Sequence, residues 1–212
     1  IADLCERKHL FPFFDSAYQG FASGDVDEDA WAVRHFVSRN TLELVVAQSF
    51  SKNFGLYGQR VGAFHIVTSS QQARDKALSH LIYLQRAEIS NPPVYGARIV
   101  AFILQNAELK REWEQDLLIM SGRIKTMRAA LFGELLKLNT PGNWQHIVNQ
   151  NGMFSYTGLS EKQVLALRKE HIYLLTSGRA SISGLNGENV ALVAKAIDKV
   201  VRETGDAPAS AV

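Results

Sequence analysis

The chain has 212 residues, 46% of them apolar, and a formal net charge of +2 from well-mixed acids and bases. That is enough for one sizeable core or two smaller lobes, and no single-sign run favours nucleic acid or an anionic membrane. No apolar stretch reaches the roughly 18 residues of a membrane span, and the one cysteine, Cys5, allows no internal disulfide and reads as a passive thiol suited to a reducing compartment.

Ile1 to Lys8 reads as the last turns of a helix already under way. With no initiator methionine and no signal peptide, the expectation is a chain that begins inside a larger protein, with any targeting segment upstream. Leu10 to Phe14 is a short apolar run, predicted as a buried strand with the Asp15 carboxylate at its C-terminal tip. Gly20 to Asp29, rich in glycine and acids, is predicted as a loop. Ala30 to Ser38 returns to helical spacing through Trp31, Val33, Arg34 and Val37. Leu42 to Ala47 and Val61 to Val67 are two further predicted strands. Strands separated by helical or loop segments point to α/β layering.

Ala73, Ala77, Leu78, Leu81 and Ile82 keep a helical period. That helix must stop before Asn91-Pro92-Pro93, because proline lacks an N–H and restricts the residue before it. Another helix is predicted over Ala97 to Gln105. Next, Leu109, Trp113, Leu117, Met120, Ile124, Met127, Leu131, Leu135 and Leu138 form one stripe on a helix of roughly 45 Å. Such a helix suits either a connection between two lobes or the core of one large domain. Asn139-Thr140-Pro141-Gly142-Asn143 breaks it. The expected organisation is therefore a first region over 1–106, a connecting helix over 107–138 and a small domain over 139–212. In the last, Met153 to Thr157 and Ile172 to Thr176 are predicted strands, with a helix over Ser160 to Glu170 capped by Ser160. Val190, Val193, Ala194, Ile197 and Val200 mark a final amphipathic helix, with Asn186 as its N-cap and Glu188 in its first turn. Thr204 to Val212 is a small-residue tail expected to fray, and its end is not a peroxisomal address.

The segment Ser49-Phe50-Ser51-Lys52-Asn53-Phe54-Gly55-Leu56-Tyr57-Gly58-Gln59-Arg60-Val61-Gly62 carries the chemistry. A lysine at a strand-to-loop junction becomes a nucleophilic amine when it loses solvent or gains cationic neighbours, which is the chemistry of a Schiff base with a carbonyl cofactor. Arg60, with the hydroxyls of Ser49 and Ser51, suits a phosphate, since a guanidinium matches phosphate bidentately. Asp15 ends an apolar run, a poor place for an unpaired carboxylate, and a protonated ring nitrogen would be a fitting partner. Arg179, in Ser177-Gly178-Arg179-Ala180-Ser181, and Arg86, before Ser90-Asn91-Pro92-Pro93, are forks for carboxylates; two converging forks would select a dicarboxylate. Each residue also has an ordinary reading: a solvated lysine, a turn aspartate, surface ion pairs. Gly55-x-x-Gly58 lacks the ending of a nucleotide-gripping loop. There is no Gly-x-Ser-x-Gly elbow, and the six histidines have no metal-ligand spacing, so no metal is expected.

The chain resembles the C-terminal half of the aspartate aminotransferase family, fold type I pyridoxal-phosphate enzymes, from Phe11 to about Val201. The resemblance is carried by Phe11-Pro12-Phe13-Phe14-Asp15-Ser16-Ala17-Tyr18-Gln19-Gly20, Ser49 through Gly62, Asn91-Pro92-Pro93 with Gly96-Ala97-Arg98, Gly152-Met153-Phe154-Ser155, and Ser177-Gly178-Arg179. It implies an α/β fold: part of the large-domain sheet of that family, a long interdomain helix and a small C-terminal α/β domain. It also implies pyridoxal 5'-phosphate as cofactor and transfer of an amino group between L-aspartate and 2-oxoglutarate. Lys52 would form the Schiff base and then shuttle the proton at the substrate alpha carbon. Asp15 would pair with the pyridine nitrogen and Tyr18 with the ring oxygen, while Ser49 and Arg60 would bind the phosphate. Arg179 would hold the alpha-carboxylate, and Arg86 the side-chain carboxylate in a neighbouring subunit's site, which requires a homodimer.

The departure is the family's N-terminal half, which supplies further phosphate-binding groups, an aromatic that stacks on the ring and several strands. The expectation is that these 212 residues alone are unstable or inactive. The alternatives are a related enzyme of other substrate range, such as an aromatic aminotransferase or a beta-decarboxylase, or an inactive truncated form that only binds or assembles. A cytoplasmic location is expected; the motifs are shared with mitochondrial forms.

Overall fold

The computed structural model describes residues 1–205, so the predicted tail beyond Gly205 lies outside the described residues. Contacts divide the chain into two compact units, one over Ile1–Leu118 and one from Ile119 onward.

The first unit opens with α1 (Ala2–Lys8), which ends at His9 in a left-handed conformation (φ 52°). Strand β1 follows at Phe13–Ser16, then a short helix α2 (Val26–Asp29) and α3 (Trp31–Ser38). β1 starts later than its apolar run suggests. Pro12 has no N–H to give a ladder, and only its carbonyl pairs, accepting from Val45 N at 3.1 Å. Leu10 and Phe11 are exposed, and Asp15 lies inside the strand. The segment predicted as a loop contains α2 because Asp25 caps it, accepting from the amides of Asp27 and Glu28. Asp29 then gathers the loop, accepting from the amides of Gly20, Ala22 and Ser23 at 2.6–3.1 Å.

β2 (Leu44–Ser49) runs parallel to β1, and β3 (Gly62–Val67) runs antiparallel to β2. Period-two alternation splits this three-stranded sheet into two faces. Leu44 and Val46 join Ala2, Cys5 and Phe36 in a buried cluster, with Phe14 set edge-on to Phe36 at 5.1 Å. Residues in register on the opposite face are Phe13, Val45 and Ile66, then Asp15, Ala47 and Phe64, then Ser49 and Gly62. Arg39 ties α1 to this layer, donating to Glu6 at 2.6 and 2.7 Å. α4 (Gln71–Ile89) is capped by Ser70, and none of its 19 residues is buried. α5 (Tyr95–Gln105) packs its first turn on the β2–β3 loop: a Cβ on Gly96 would stand 2.8 Å from Gln59 Cβ.

α6 (Ala107–Lys137) is the 31-residue helix that the long stripe predicts, and the division between the units falls within it. Asn139, with φ 49°, turns the chain out of it. In the second unit come α7 (His146–Asn149), β4 (Phe154–Tyr156), α8 (Glu161–Lys169), β5 (Arg179–Ser181) and α9 (Val190–Thr204). Ser160 and Gln163 form the reciprocal capping box of α8. The core here includes Ile124, Leu135, Ile147, Leu167, Ile182 and Ile197, each at most 3% exposed.

Two sequence expectations fail in this unit. Ile172 to Thr176 is not a strand. His171 leaves α8 in a left-handed turn (φ 61°), and Ile172 N bonds back to Leu167 O, so this apolar run closes the helix end. The strand is β5, paired antiparallel with β4 through Phe154–Ser181, Ser155–Ala180 and Tyr156–Arg179. The last helix begins at Val190 with Asn189 as N-cap; Asn186 makes its own turn first, accepting from the amides of Glu188 and Asn189.

Candidate active site

The β2–β3 connection is built to hold one loop in one shape. Phe50 N donates to Val61 O at 3.1 Å, closing the loop at its base, and Gly55 N donates to Lys52 O at 3.0 Å, forming a turn at the lysine. Gly62 cannot be another residue without movement, because a Cβ there would lie 2.4 Å from Gln48 O. Aromatic packing anchors the tip: Phe54 stacks on Trp113 at 4.4 Å, and Trp113 Nε1 donates to Asn53 O at 2.7 Å. Asn53 is buried and donates to Gln19 O at 3.3 Å, tying the lysine loop to the chain after β1.

A cavity of about 360 Å³ opens beside this loop, lined by Asp15, Ser49, Ser51, Arg60, Gly62 and Phe64 among others. Four of the eight sequence-predicted site residues therefore line one pocket. The reason is register: Asp15 pairs with Ala47, Ser49 follows two residues later, and both face away from the buried cluster. Ser51 is 3% exposed, and its amide donates to Ser49 Oγ at 3.2 Å. Arg60 sits in a left-handed turn (φ 49°) and donates to Tyr57 O at 3.0 Å and, more distantly, to Ser51 Oγ at 3.4 Å. Two hydroxyls and a guanidinium thus share one rim. Lys52 is half-buried, with Nζ 5.0 Å above the Tyr18 ring, so the loop and the end of β1 bring this pair together.

Neither of the other two arginines is among the residues that line that pocket. Arg86 lies near the end of α4, exposed, donating to Ser90 Oγ at 2.5 Å. Arg179 opens β5 in the second unit, with its guanidinium carbon 4.6 Å above the Phe154 ring. The preceding Gly178 has φ +81°, and its carbonyl accepts from both the amide and the hydroxyl of Thr157. A Cβ at Gly178 would meet Leu159 O at 2.8 Å, so the turn that presents Arg179 needs glycine twice over.

Sequence reasoning missed the supports: Gln48, Asn53, Phe64 and Trp113. Gln48 Nε2 donates to Gln19 Oε1 at 2.7 Å, and its Oε1 lies 3.1 Å from His65 Nε2. The one sequence signal was the pair of aromatics flanking Lys52. Trp113 was legible only as part of a helical stripe.

The residues fit a pyridoxal-phosphate-like group by the chemistry of the donor set. Ser49, Ser51 and Arg60 suit a phosphate dianion. Among the described residues nothing bonds the Asp15 carboxylate, which leaves it free to take a cationic ring nitrogen. The fit to a metal is poor: among the described residues no group of three or more His, Cys, Asp or Glu could hold one. No helix among them is long and apolar enough to cross a membrane.

A family model for aminotransferase class I and II matches residues 1–197. The chain is similar to the L-tyrosine:2-oxoglutarate aminotransferase of Aspergillus ustus, 54% identical over 203 residues, covering 94% of this chain and 39% of that protein. It is also similar to the cytoplasmic aspartate aminotransferase of Saccharomyces cerevisiae, 53% identical over 210 residues, 95% of this chain and 50% of that protein. Among solved structures, aspartate aminotransferase from S. cerevisiae cytoplasm superposes with a TM-score of 0.91 at 51% identity, over 96% of this chain and 51% of that one. An aromatic-amino-acid aminotransferase from Burkholderia pseudomallei, covalently bound to pyridoxal phosphate, gives 0.90 at 42%, over 94% and 50%. The chain spans about half the length of the curated relatives it matches, or less. Together with the α/β architecture and the lysine loop, a match running from the first residue to Ile197 makes this chain a member of the class I and II aminotransferase family.

Proposed function

We propose that this chain supplies the lysine-bearing half of a pyridoxal-phosphate-dependent aminotransferase that moves the amino group between L-aspartate and 2-oxoglutarate, yielding oxaloacetate and L-glutamate. The observation that carries the reading is the shared pocket of Asp15, Ser49, Ser51 and Arg60, with Lys52 on the loop that borders it. The cytoplasmic aspartate aminotransferases among the relatives support it. In the same reading, 1–106 belongs to the cofactor-binding domain, 107–138 is the connecting helix and 139–212 is the small domain.

Pyridoxal phosphate, when bound, supplies an aldehyde that takes up amines and a ring that draws off electron density. Lys52 Nζ would hold it covalently, and the same amine is the group that would carry the proton to and from the substrate alpha carbon. The Asp15 carboxylate would pair with the ring nitrogen. The Tyr18 hydroxyl would donate to the ring oxygen. Ser49, Ser51 and Arg60 would hold the phosphate. Arg179 binds the substrate alpha-carboxylate as a fork. Arg86 binds the second carboxylate in the site of another copy, which makes a homodimer the working unit. The location is cytoplasmic in this reading, following the yeast and nematode relatives; a mitochondrial aspartate aminotransferase from Trypanosoma brucei also superposes.

A second reading changes only the substrate range. It is favoured by the tyrosine aminotransferase at 54% identity. Arg86→Ala separates the two: loss of the preference for aspartate over phenylalanine or tyrosine supports the dicarboxylate reading, and an unchanged preference supports the aromatic one. The primary test is borohydride reduction of the holoenzyme followed by peptide mapping. The label is expected on Lys52, and a label on any other lysine would overturn the assignment.

A further inference from the structure

Arg128 lies on α6 in the second unit with 3% of its surface exposed. Among the described residues no carboxylate pairs with it, and its Nε has no partner. Burial pushes its pKa below the ordinary arginine value. A buried cation without a counter-charge is costly, so its hydrogen bonds must offset that cost. They are almost all to backbone. Nη1 donates to Ile147 O at 2.7 Å and to Ser155 Oγ at 3.2 Å, while Nη2 donates to Gly152 O at 2.8 Å and Phe154 O at 2.5 Å. Three of these four acceptors lie on β4 or the turn that leads into it.

That strand matters because of what rests on it. Phe154 carries the ring beneath the Arg179 guanidinium, and Tyr156 pairs with Arg179 across the two-stranded ladder. Gly178 fixes the backbone of Arg179 from one side. Phe154 fixes its head from the other. With only three strand residues on each side, the ladder has little rigidity of its own. The Arg128 fork braces the Phe154 platform from Gly152 to Ser155, and Gln150 adds bonds to Ser155 and Tyr156.

We propose that Arg128 is a positioning residue for Arg179: its guanidinium clamps the Gly152–Ser155 backbone and so holds the Phe154 ring where it aims the substrate-binding fork. The proposal rests on the reading of Arg179 as the alpha-carboxylate ligand. Lysine keeps the charge but cannot span four acceptors in one plane, so Arg128→Lys separates geometry from electrostatics.

The test uses the holoenzyme and steady-state kinetics with aspartate and 2-oxoglutarate. Arg128→Lys is expected to raise KM for both substrates about tenfold with kcat within about twofold, because it disturbs binding that is uniform through the reaction. Phe154→Leu removes the ring but keeps the carbonyl that Arg128 holds, and should raise KM by a similar factor. Acting through one another, the two changes together should cost no more than the larger one alone. An unchanged KM in folded Arg128→Lys, or fully multiplicative effects in the double variant, would overturn the proposal even if thermal stability fell. If Arg128→Lys does not accumulate as folded protein, Ser155→Ala removes a single bond of the clamp. A rise in KM that does not multiply with Phe154→Leu supports the proposal, and an unchanged KM or a multiplicative effect overturns it. Arg179→Lys distinguishes the two levels. If it leaves KM unchanged, the reading of Arg179 fails and the inference with it; if it raises KM while Arg128→Lys does not, the inference alone fails.

Discussion

α4 in the first unit and α9 in the second make opposite use of their apolar residues. α9 spans 15 residues and buries six of them, including Ala194, Ile197, Val200 and Val201. α4 spans 19 and buries none; Leu78, Ile82, Leu84 and Ile89 are all more than half exposed. The same contrast runs through the sheets. The first unit leaves Phe13 and Phe64 exposed on the face that carries Asp15 and Ser49, whereas the middle residue of β4, Ser155, is buried. The second unit carries Arg179, and the first carries the lysine loop to which the cofactor chemistry is assigned in the proposed reading.

The largest effect should come from the loop itself. Lys52→Ala is expected to lower turnover at least about 10³-fold, since it removes both the covalent amine and the proton carrier. Phe54 should remain stacked on Trp113, because that packing does not use the lysine side chain. Folding is checked by near-UV circular dichroism and turnover by a coupled assay. Residual activity within about tenfold of the parent would break the assignment of the chemistry to the first unit.

The stability contrast comes next. Leu167 on α8 is 0% exposed, and Leu167→Ala should cost about 2–5 kcal/mol by loss of burial and creation of a cavity. Leu78→Ala, on a residue 54% exposed, should change stability by no more than about 0.5 kcal/mol. Urea unfolding of both variants at two protein concentrations measures this. Should Leu78→Ala prove as costly as Leu167→Ala, and concentration-dependent, α4 is covered in the working protein and the contrast holds for the isolated chain only.

Ser160→Ala sharpens the picture of the second unit at a smaller scale. The hydroxyl accepts from Gln163 N, and Gln163 Oε1 accepts from Ser160 N, so the substitution breaks one half of a reciprocal cap. About 1 kcal/mol is expected. The Ser160 cap was legible in sequence because a serine just ahead of a helical run is a local signal, its Gln163 partner was not read, and α6 was legible because its stripe spans many turns. The pocket was legible only in part. Lys52, Ser49, Ser51 and Arg60 share one segment, but that Asp15 joins them depends on its parallel pairing with Ala47, with 31 residues between them, which no local pattern encodes. Trp113 supports the loop from 60 residues away. Arg128 was invisible for another reason: an arginine on a long helix reads as solvent-facing until its burial is known. Ile172 to Thr176 misled because an apolar run has the same composition whether it enters a ladder or wraps a helix end.

The smallest effect separates the units by pH. Glu6 in the first unit has its pKa lowered from 4.5 to about 2, chiefly by the hydrogen bonds from Arg39, then by that from the Thr41 hydroxyl. A carboxyl whose folded pKa is depressed stabilises the protein fully above its unfolded value and loses that contribution as pH falls through the folded one. The contribution of Glu6 should therefore be constant above about pH 5 and vanish between roughly 4.5 and 2. Glu6→Gln removes the charge at every pH. The difference in urea midpoint between the two proteins should shrink steadily as pH falls through that window. Arg39 also meets Asp3 at 2.6 Å, so part of the attraction survives the substitution and the difference stays small. A difference that did not change with pH would mean that Glu6 acts through packing alone, and α1 would then be held to the sheet by its buried face, Ala2 and Cys5, in the same manner as α9.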